Sequence, residues 1–476
     1  MTSQWQAVAE IAQGVQSGSL KAVDLVEQSL RTIEAQAEYE AIIATLADQA
    51  RERAIQIDAR VASGETVGRL AGVPFIAKDN FLVFGSDTTA ASNMLRGFDA
   101  PYQSTAINRL EAEGAICVAK ANLDAFAHGS STENSDFMTT KNPHDITRVP
   151  GGSSGGSAAA VMLDMAPFAL GTDTGGSIRL PASFTGAVGY KPTYGLVSRS
   201  GVVAMASSTD VVGPLTRSVA DAAYVLDCMA GQDPLDSTTI DRNPAGYVLP
   251  ENTYLTGKKI GVIREYMGEG LDQGVKENID ATVAALQSAG AIVTEVSLPT
   301  LPLAFAVYYI LCPAEVSSNL SRYDGQRYGH TVGDVSNLDQ SFKQSRSTGF
   351  GKEAKRRIII GTYVLSSGYY DAYYKKAQTV RTKLINEFAS VFDDVDFLVG
   401  PTAPTTAFKI GENVDDPLQM YLIDIMTVAV NLAGIPAISI PAGVSNGLPV
   451  GLQLMASQQN DRELLAAAQA AEGVVG

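Results

Sequence analysis

Gly151-Gly152-Ser153-Ser154-Gly155-Gly156-Ser157 and Gly171-Thr172-Asp173-Thr174-Gly175-Gly176-Ser177-Ile178-Arg179 are the two stretches whose reading decides the fold. Glycine-dense loops leave consecutive backbone N–H groups uncovered, and such groups at a helix start hold developing negative charge without reorganising. The flanking residues predict a helix over 155–164, a strand over 168–171 and the start of a further helix over 177–184 despite Pro181. Both clusters therefore fall at strand–helix junctions, and a serine in each points to acyl transfer. Taken singly, either cluster could equally be a set of turns or a phosphate cradle. Neither ends in Gly-Lys-Ser/Thr, and neither begins a clean G-x-G-x-x-G fingerprint, which weakens a nucleotide reading.

Working outward, residues 5–16, 22–36 and 44–62 carry helical apolar spacing and form a helical entry segment. Val73-Pro74-Phe75-Ile76-Ala77 reads as a short buried strand that delivers Lys78, and 104–113 as a helix leading into a strand over 115–119. In the C-terminal half, 259–264 and 291–298 read as strands around a helix over 275–290. Further strands are predicted over 396–400 and 437–441. This alternation predicts an α/β protein with a mixed sheet covered by helices on both faces. No linker or repeat divides the chain, so the expected organisation is a helical N-terminal segment, 1–66, packed on one large domain, 67–476.

With 476 residues, 45% hydrophobic and 18% charged, the chain can bury a large core. Its net charge of −16 disfavours direct binding of phosphate backbones or anionic membranes. Cys117, Cys228 and Cys312 are widely spaced, so neither a disulfide framework nor a zinc site is indicated. The start Met1-Thr2-Ser3-Gln4-Trp5 lacks a signal-peptide pattern, which predicts a cytoplasmic protein. Residues 425–460 carry no formal charge, but Asn431, Pro436, Pro441, Asn446 and Pro449 interrupt them, so buried strands and loops are expected there and not a membrane span.

A serine nucleophile needs a base. The histidines are His128, His144 and His330. Overlapping G-x-S-x-G matches centred on Ser153 and Ser154 raise a nucleophile elbow with His330 as base, but that requires a strand just before Gly151, where 142–150 reads as a proline-punctuated loop. A lysine can take the role if burial lowers its pKa. Lys78, after an apolar strand, suits this. Its plainer alternative is an ion pair with the adjacent Asp79.

The ordered set of Lys78 and two glycine-serine clusters resembles the amidase-signature serine hydrolases. The resemblance implies Ser177 as nucleophile, Ser153, 24 residues before it, as a bridging serine held by a cis peptide, and Lys78 as general base. It further implies an oxyanion hole of amides from Thr174, Gly175, Gly176 and Ser177, with Asp173 and Arg179 as structural or orienting residues. Within the family, residues 186–195, 233–238, 322–329 and above all 349–377, with Lys355-Arg356-Arg357, are similar to the glutaminase subunits of tRNA-dependent amidotransferases.

That similarity implies hydrolysis of glutamine and delivery of ammonia to companion subunits B and C. The whole heterotrimer would use ATP and Mg²⁺ on a partner to convert Glu-tRNA(Gln) to Gln-tRNA(Gln), Asp-tRNA(Asn) to Asn-tRNA(Asn), or both, with tRNA held mainly by the partner. No metal or organic cofactor is implied for glutamine hydrolysis itself. A zwitterionic substrate wants a cation for its carboxylate and an anion for its ammonium. The resemblance assigns these to Arg357 and Asp424, whose plainer readings are a surface cluster and a helix cap. Gly129 and Ser130 are implied as binding residues, and Tyr308 or Tyr309 could line the pocket, although paired tyrosines in an apolar run are commonly core residues. His128 stands where the family often has methionine, and Thr172 where serine is common. Two rivals remain: a stand-alone amidase acting on small aryl or aliphatic amides, and a non-catalytic scaffold.

Overall fold

The computed structural model describes residues 4–248, 250, 255–333 and 336–475. Its centre is one eleven-stranded sheet: β1 (Ile42–Thr45), β2 (Pro74–Lys78), β3 (Ile116–Ala121), β4 (Phe168–Asp173), β5 (Val188–Lys191), β6 (Val211–Thr216), β7 (Lys259–Ile263), β8 (Ile292–Val296), β9 (Phe397–Pro401), β10 (Ala437–Ser445) and β11 (Leu448–Met455). The spatial order is β1-β3-β2-β4-β6-β5-β10-β11-β9-β7-β8. β2 runs parallel to β3 and β4, and β7 parallel to β8 and β9. The remaining pairs are antiparallel, so the sheet is mixed as expected.

Successive strand side chains point to opposite faces, so a strand buried at every position is covered on both. β2, β3, β4, β6 and β9 are buried throughout. The helix Gly155–Met162 packs on β2, β4 and β6, and Asp461–Val475 and Gln273–Ser288 pack on β10 and β11. In β2 and β4, Phe75 and Phe168 stack with centroids 5.2 Å apart.

Helices at Val8–Gln16, Ala22–Ala35 and Ala47–Ala62 correspond to the three predicted N-terminal ones. The third starts later than expected, because residues 42–45 form β1 and pair with β3 at the sheet edge. The uncharged stretch holds β10, β11 and the short helix Val428–Ala433. Leu301–Leu320 is apolar enough by length and mean hydropathy to cross a membrane. It contains Pro313, half of it is buried, and it packs on the helices Lys352–Leu365 and Lys376–Val391.

Two junctions place the chemistry. β2 ends on Lys78, and β4 ends on Asp173 just before the loop 174–178 and the helix Arg179–Thr185. The first glycine cluster is folded against both, since Ser154 N–H donates to the Ser177 carbonyl at 3.1 Å. Loop, not strand, precedes Gly151, which removes the elbow geometry.

Candidate active site

Lys78 is fully buried, and its Nζ donates to Ser153 Oγ and Ser154 Oγ, both at 2.8 Å, and to Thr172 Oγ1 at 3.0 Å. Burial drives its pKa down to about 7, while Asp124, Asp173 and Asp210 pull it back up. The alternative pairing with Asp79 does not occur. Asp79 turns instead to Lys120, whose Nζ lies 2.7 Å from its Oδ1, and also accepts from Thr89 N at 3.0 Å. Thus Lys120 has a carboxylate in direct contact, whereas Lys78 is contacted by hydroxyls.

Ser153 follows a cis Gly152–Ser153 peptide. The hydrogen-bond chain from Lys78 reaches Ser153. Ser177, 8% exposed, lies in the neighbouring loop, tied to the first cluster through its carbonyl. Of the four amides considered for an oxyanion hole, Gly176 N–H donates to Asp173 Oδ1 at 2.9 Å and is therefore occupied. Thr174 is steadied by its hydroxyl, which donates to Asp210 Oδ1 at 2.7 Å. Gly176 has φ +140°, a conformation L side chains rarely adopt, and a Cβ there would lie 2.3 Å from Thr427 Oγ1. Thr427 Oγ1 itself donates to the Gly175 carbonyl at 2.5 Å.

Beneath this loop Asp173 and Arg179 form a fully buried two-point ion pair, with Nε to Oδ2 at 3.0 Å and Nη2 to Oδ1 at 2.9 Å. Burial works against the Asp173 charge, but Arg179 outweighs it and holds the carboxyl well below its ordinary range. Asn431 Nδ2 donates to Asp173 Oδ1 at 2.9 Å, and Arg179 Nη2 to Asn431 Oδ1 at 2.6 Å.

Distant segments close the pocket. Ser130 Oγ lies 2.8 and 2.9 Å from the two Asp424 oxygens, and Tyr309 OH donates to Asp424 Oδ2 at 3.0 Å. Burial raises the Asp424 pKa to about 7, against the pull of these hydrogen bonds and of Arg357. Arg357 is buried, not part of a surface cluster. Its Nε donates to Glu353 Oε1 at 2.8 Å, and its guanidinium stands 5.4 Å from the Tyr421 ring centre and 5.8 Å from that of Tyr309. Tyr421 OH donates to the same Glu353 oxygen at 2.6 Å and its ring stacks on Tyr309 at 4.4 Å. Of the two candidate tyrosines, then, Tyr309 reaches Asp424, while Tyr308 packs beside Gly175, where a Cβ would lie 2.6 Å from its hydroxyl.

A cavity of about 320 Å³ is lined by residues that include His128, Gly129, Ser130, Glu353, Arg357 and Tyr421. Gly129 is required because a Cβ there would lie 2.3 Å from the Asp124 carboxyl. His144 Nε2 bonds the Thr185 carbonyl and His330 Nε2 the Thr348 hydroxyl, each at 2.8 Å, so neither contacts the serine cluster. Among the described residues no group of three or more His, Cys, Asp or Glu could hold a metal ion. Ser154, which the sequence raises only as the centre of a G-x-S-x-G match, and Glu353 and Tyr421, which it does not raise, are also site residues. Its place beside Ser153 is the local hint of Ser154, and the other two announce themselves only in three dimensions.

A buried lysine bonded to a serine at a glycine-rich junction, with a second serine in the adjoining loop, is the architecture of a serine amidohydrolase. The chain belongs to the amidase family, whose family model matches residues 24–465. It is 50% identical, over 98% of its length, to a protein of Thermoanaerobacter pseudethanolicus named as the A subunit of glutamyl-tRNA(Gln) amidotransferase, and covers 95% of that protein. The crystal structure of the A subunit of glutamyl-tRNA(Gln) amidotransferase from Thermotoga maritima superposes with a TM-score of 0.78 at 41% identity, covering 94% of this chain and 91% of that one. The native peptide amidase of Stenotrophomonas maltophilia has a TM-score of 0.81 at 30% identity, covering 99% and 97%.

Proposed function

We propose that the chain is the glutamine-hydrolysing A subunit of a glutamyl-tRNA(Gln) amidotransferase. The observation that carries the chemistry is the 2.8 Å hydrogen bond from Lys78 to Ser153, made by a lysine whose pKa burial has brought to about 7. Near neutrality about half of such a group is the free amine a base must be.

In this reading Ser177 Oγ attacks the side-chain amide carbonyl of glutamine as its proton passes through Ser153 to Lys78. Amides of Thr174, Gly175 and Ser177 receive the oxyanion, with Gly176 holding the loop through Asp173. Collapse of the tetrahedral adduct breaks the C–N bond, Lys78 returns the proton through Ser153 to nitrogen, and ammonia leaves a glutamyl ester on Ser177. Water, deprotonated by the same relay, then frees glutamate. Arg357 pairs with the substrate carboxylate and Asp424 with its ammonium, while Gly129, Ser130 and Tyr308 shape the pocket.

The strong likeness to proteins named as A subunits supports a heterotrimer with subunits B and C, in the cytoplasm. There the ammonia would convert Glu-tRNA(Gln) to Gln-tRNA(Gln), with ATP, Mg²⁺ and most tRNA contacts on the partner. The charge of −16 agrees with tRNA being held elsewhere. The test is ammonia release from glutamine by the chain alone and with subunits B and C, ATP and Glu-tRNA(Gln), for wild type and Ser177→Ala. Partner-stimulated release lost in the variant supports the reading. Turnover of simple amides without glutamine would instead favour the stand-alone amidase that the peptide-amidase likeness keeps open.

A further inference from the structure

His128 is completely buried, yet neither Nδ1 nor Nε2 of its ring has a hydrogen-bond partner. Its backbone is fixed: the carbonyl accepts from Asn134 Nδ2 at 2.7 Å and the N–H donates to the Ala125 carbonyl at 3.0 Å. Only the imidazole is left over. One neighbour is the Phe126 ring, at 6.2 Å between centroids, and His128 is among the residues that line the 320 Å³ cavity, with Ser130, Arg357 and Tyr421. Buried polar atoms are nearly always paired, and an exception calls for a cause. An apolar side chain would fill the space beside Phe126 without leaving two nitrogens unmatched, so packing alone does not explain an imidazole here. A bound molecule in the cavity does.

The surroundings define that molecule's chemistry. Burial, then the Arg357 charge, pushes the imidazole pKa well below its usual value, so the ring carries one N–H donor and one lone pair and no charge. Glu353 accepts from Nε of Arg357 and Cys312 Sγ lies 3.8 Å from Nη1, while among the described residues neither Nη1 nor Nη2 donates a hydrogen bond to a carboxylate. A neutral N–H donor and a guanidinium from residues lining one cavity together match an anionic acceptor with two oxygens, a carboxylate.

We propose that His128 is a specificity-determining residue, its ring N–H donating to the α-carboxylate of the substrate beside Arg357. The assignment rests on the reading of this site as a glutamine pocket and adds a second reader of the carboxylate. Because the imidazole touches the end of the substrate remote from the scissile amide, it acts on binding and leaves the relay of Lys78 and Ser153 untouched.

The test compares glutamine with 4-aminobutyramide, the same molecule without its α-carboxylate, using the full chain with its partner subunits. Initial rates of ammonia release are measured for wild type, His128→Leu and His128→Gln. The expected result is a rise of about tenfold in KM for glutamine in His128→Leu, about 1.4 kcal/mol, with kcat within about twofold and KM for 4-aminobutyramide unchanged. His128→Gln, which keeps an N–H donor, should recover most of the loss, and His128→Met repeats the comparison if the leucine variant fails to accumulate. An unchanged glutamine KM overturns the proposal, as does an equal rise for both substrates, which would make the ring a mere wall. Wild-type turnover of 4-aminobutyramide with none of glutamine is a different result, and it would overturn the glutamine reading itself.

Discussion

Lys78 Nζ donates to Ser153 Oγ over 2.8 Å, in a site where the adjacent carboxylate, Asp79, has been drawn away to Lys120. That separation sets the chemistry. A lysine paired with its neighbour would stay protonated, whereas one surrounded mainly by hydroxyls is pushed by burial to about 7.

The pH dependence follows directly. In the proposed mechanism Lys78 acts as a free amine, so activity should be low below its pKa and rise as pH passes about 7. Asp424 must be ionised to hold an ammonium and also titrates near 7, so its limb has the same sign. kcat/KM, which reports the free enzyme, should therefore climb more steeply than kcat. In Asp424→Asn the profile should lose one of the two protons while keeping the Lys78 limb. A flat profile from pH 6 to 8 would remove Lys78 as base.

The two serines should separate in a trapping experiment. With Ser177 as the proposed nucleophile, Ser177→Ala should form no ester, and hydroxylamine should capture no glutamyl hydroxamate from it. Ser153→Ala keeps the nucleophile but loses the relay, and its rate should fall about 10²- to 10⁴-fold, the usual contribution of positioned proton transfer. Residual hydroxamate from Ser153→Ala with none from Ser177→Ala is the expected pattern, read by chromatography of the quenched reaction.

Legibility in the sequence divides along chain separation. Lys78 and the two glycine-serine clusters could be read because each carries its meaning within a few residues, a strand ending in a cation or a loop without side chains. The mixed α/β sheet could be read because β2, β4 and β7 are apolar runs. β6, Val211–Thr216, was hidden by Gly213 and Pro214, and β11 by Pro449 and Gly451, residues that ordinarily break strands. The pocket was the least readable part. Ser130 and Asp424 are 294 residues apart and Tyr309 and Asp424 are 115 apart, so no local pattern links them. The resemblance supplied Arg357 and Asp424. Glu353 and Tyr421, which hold the arginine, emerged only from the fold.

Glu353 should behave as a positioning residue. It takes Arg357 Nε at 2.8 Å and the Tyr421 hydroxyl at 2.6 Å, and both charged side chains are largely buried. Glu353→Gln keeps the shape but leaves the Arg357 charge uncompensated, and breaking a buried pair costs about 3–5 kcal/mol. The expected outcome is a lowered unfolding midpoint together with a raised KM for glutamine and a smaller change in kcat. A KM equal to wild type in the folded variant would show that Arg357 finds its place without Glu353.

The Asp173–Arg179 pair makes the sharpest stability prediction, because both side chains are fully buried and the same carboxylate accepts from N–H groups of the loop that carries Ser177. Arg179→Met leaves Asp173 charged in the interior and should cost about 3–5 kcal/mol. Asp173→Asn leaves Arg179 unpaired and also weakens the acceptor for Gly176 N–H, now bonded at 2.9 Å, and for Ile178 N–H at 3.2 Å. Chemical denaturation of the single and double variants should give a double variant less destabilised than the sum of the singles, since removing both charges strands neither. Activity should not recover in step with stability. The double variant no longer anchors the 174–177 amides, so its kcat should remain well below wild type at a temperature where it is fully folded. Full recovery of kcat in that variant would mean that the loop holds its shape through Thr427 and Asp210 alone.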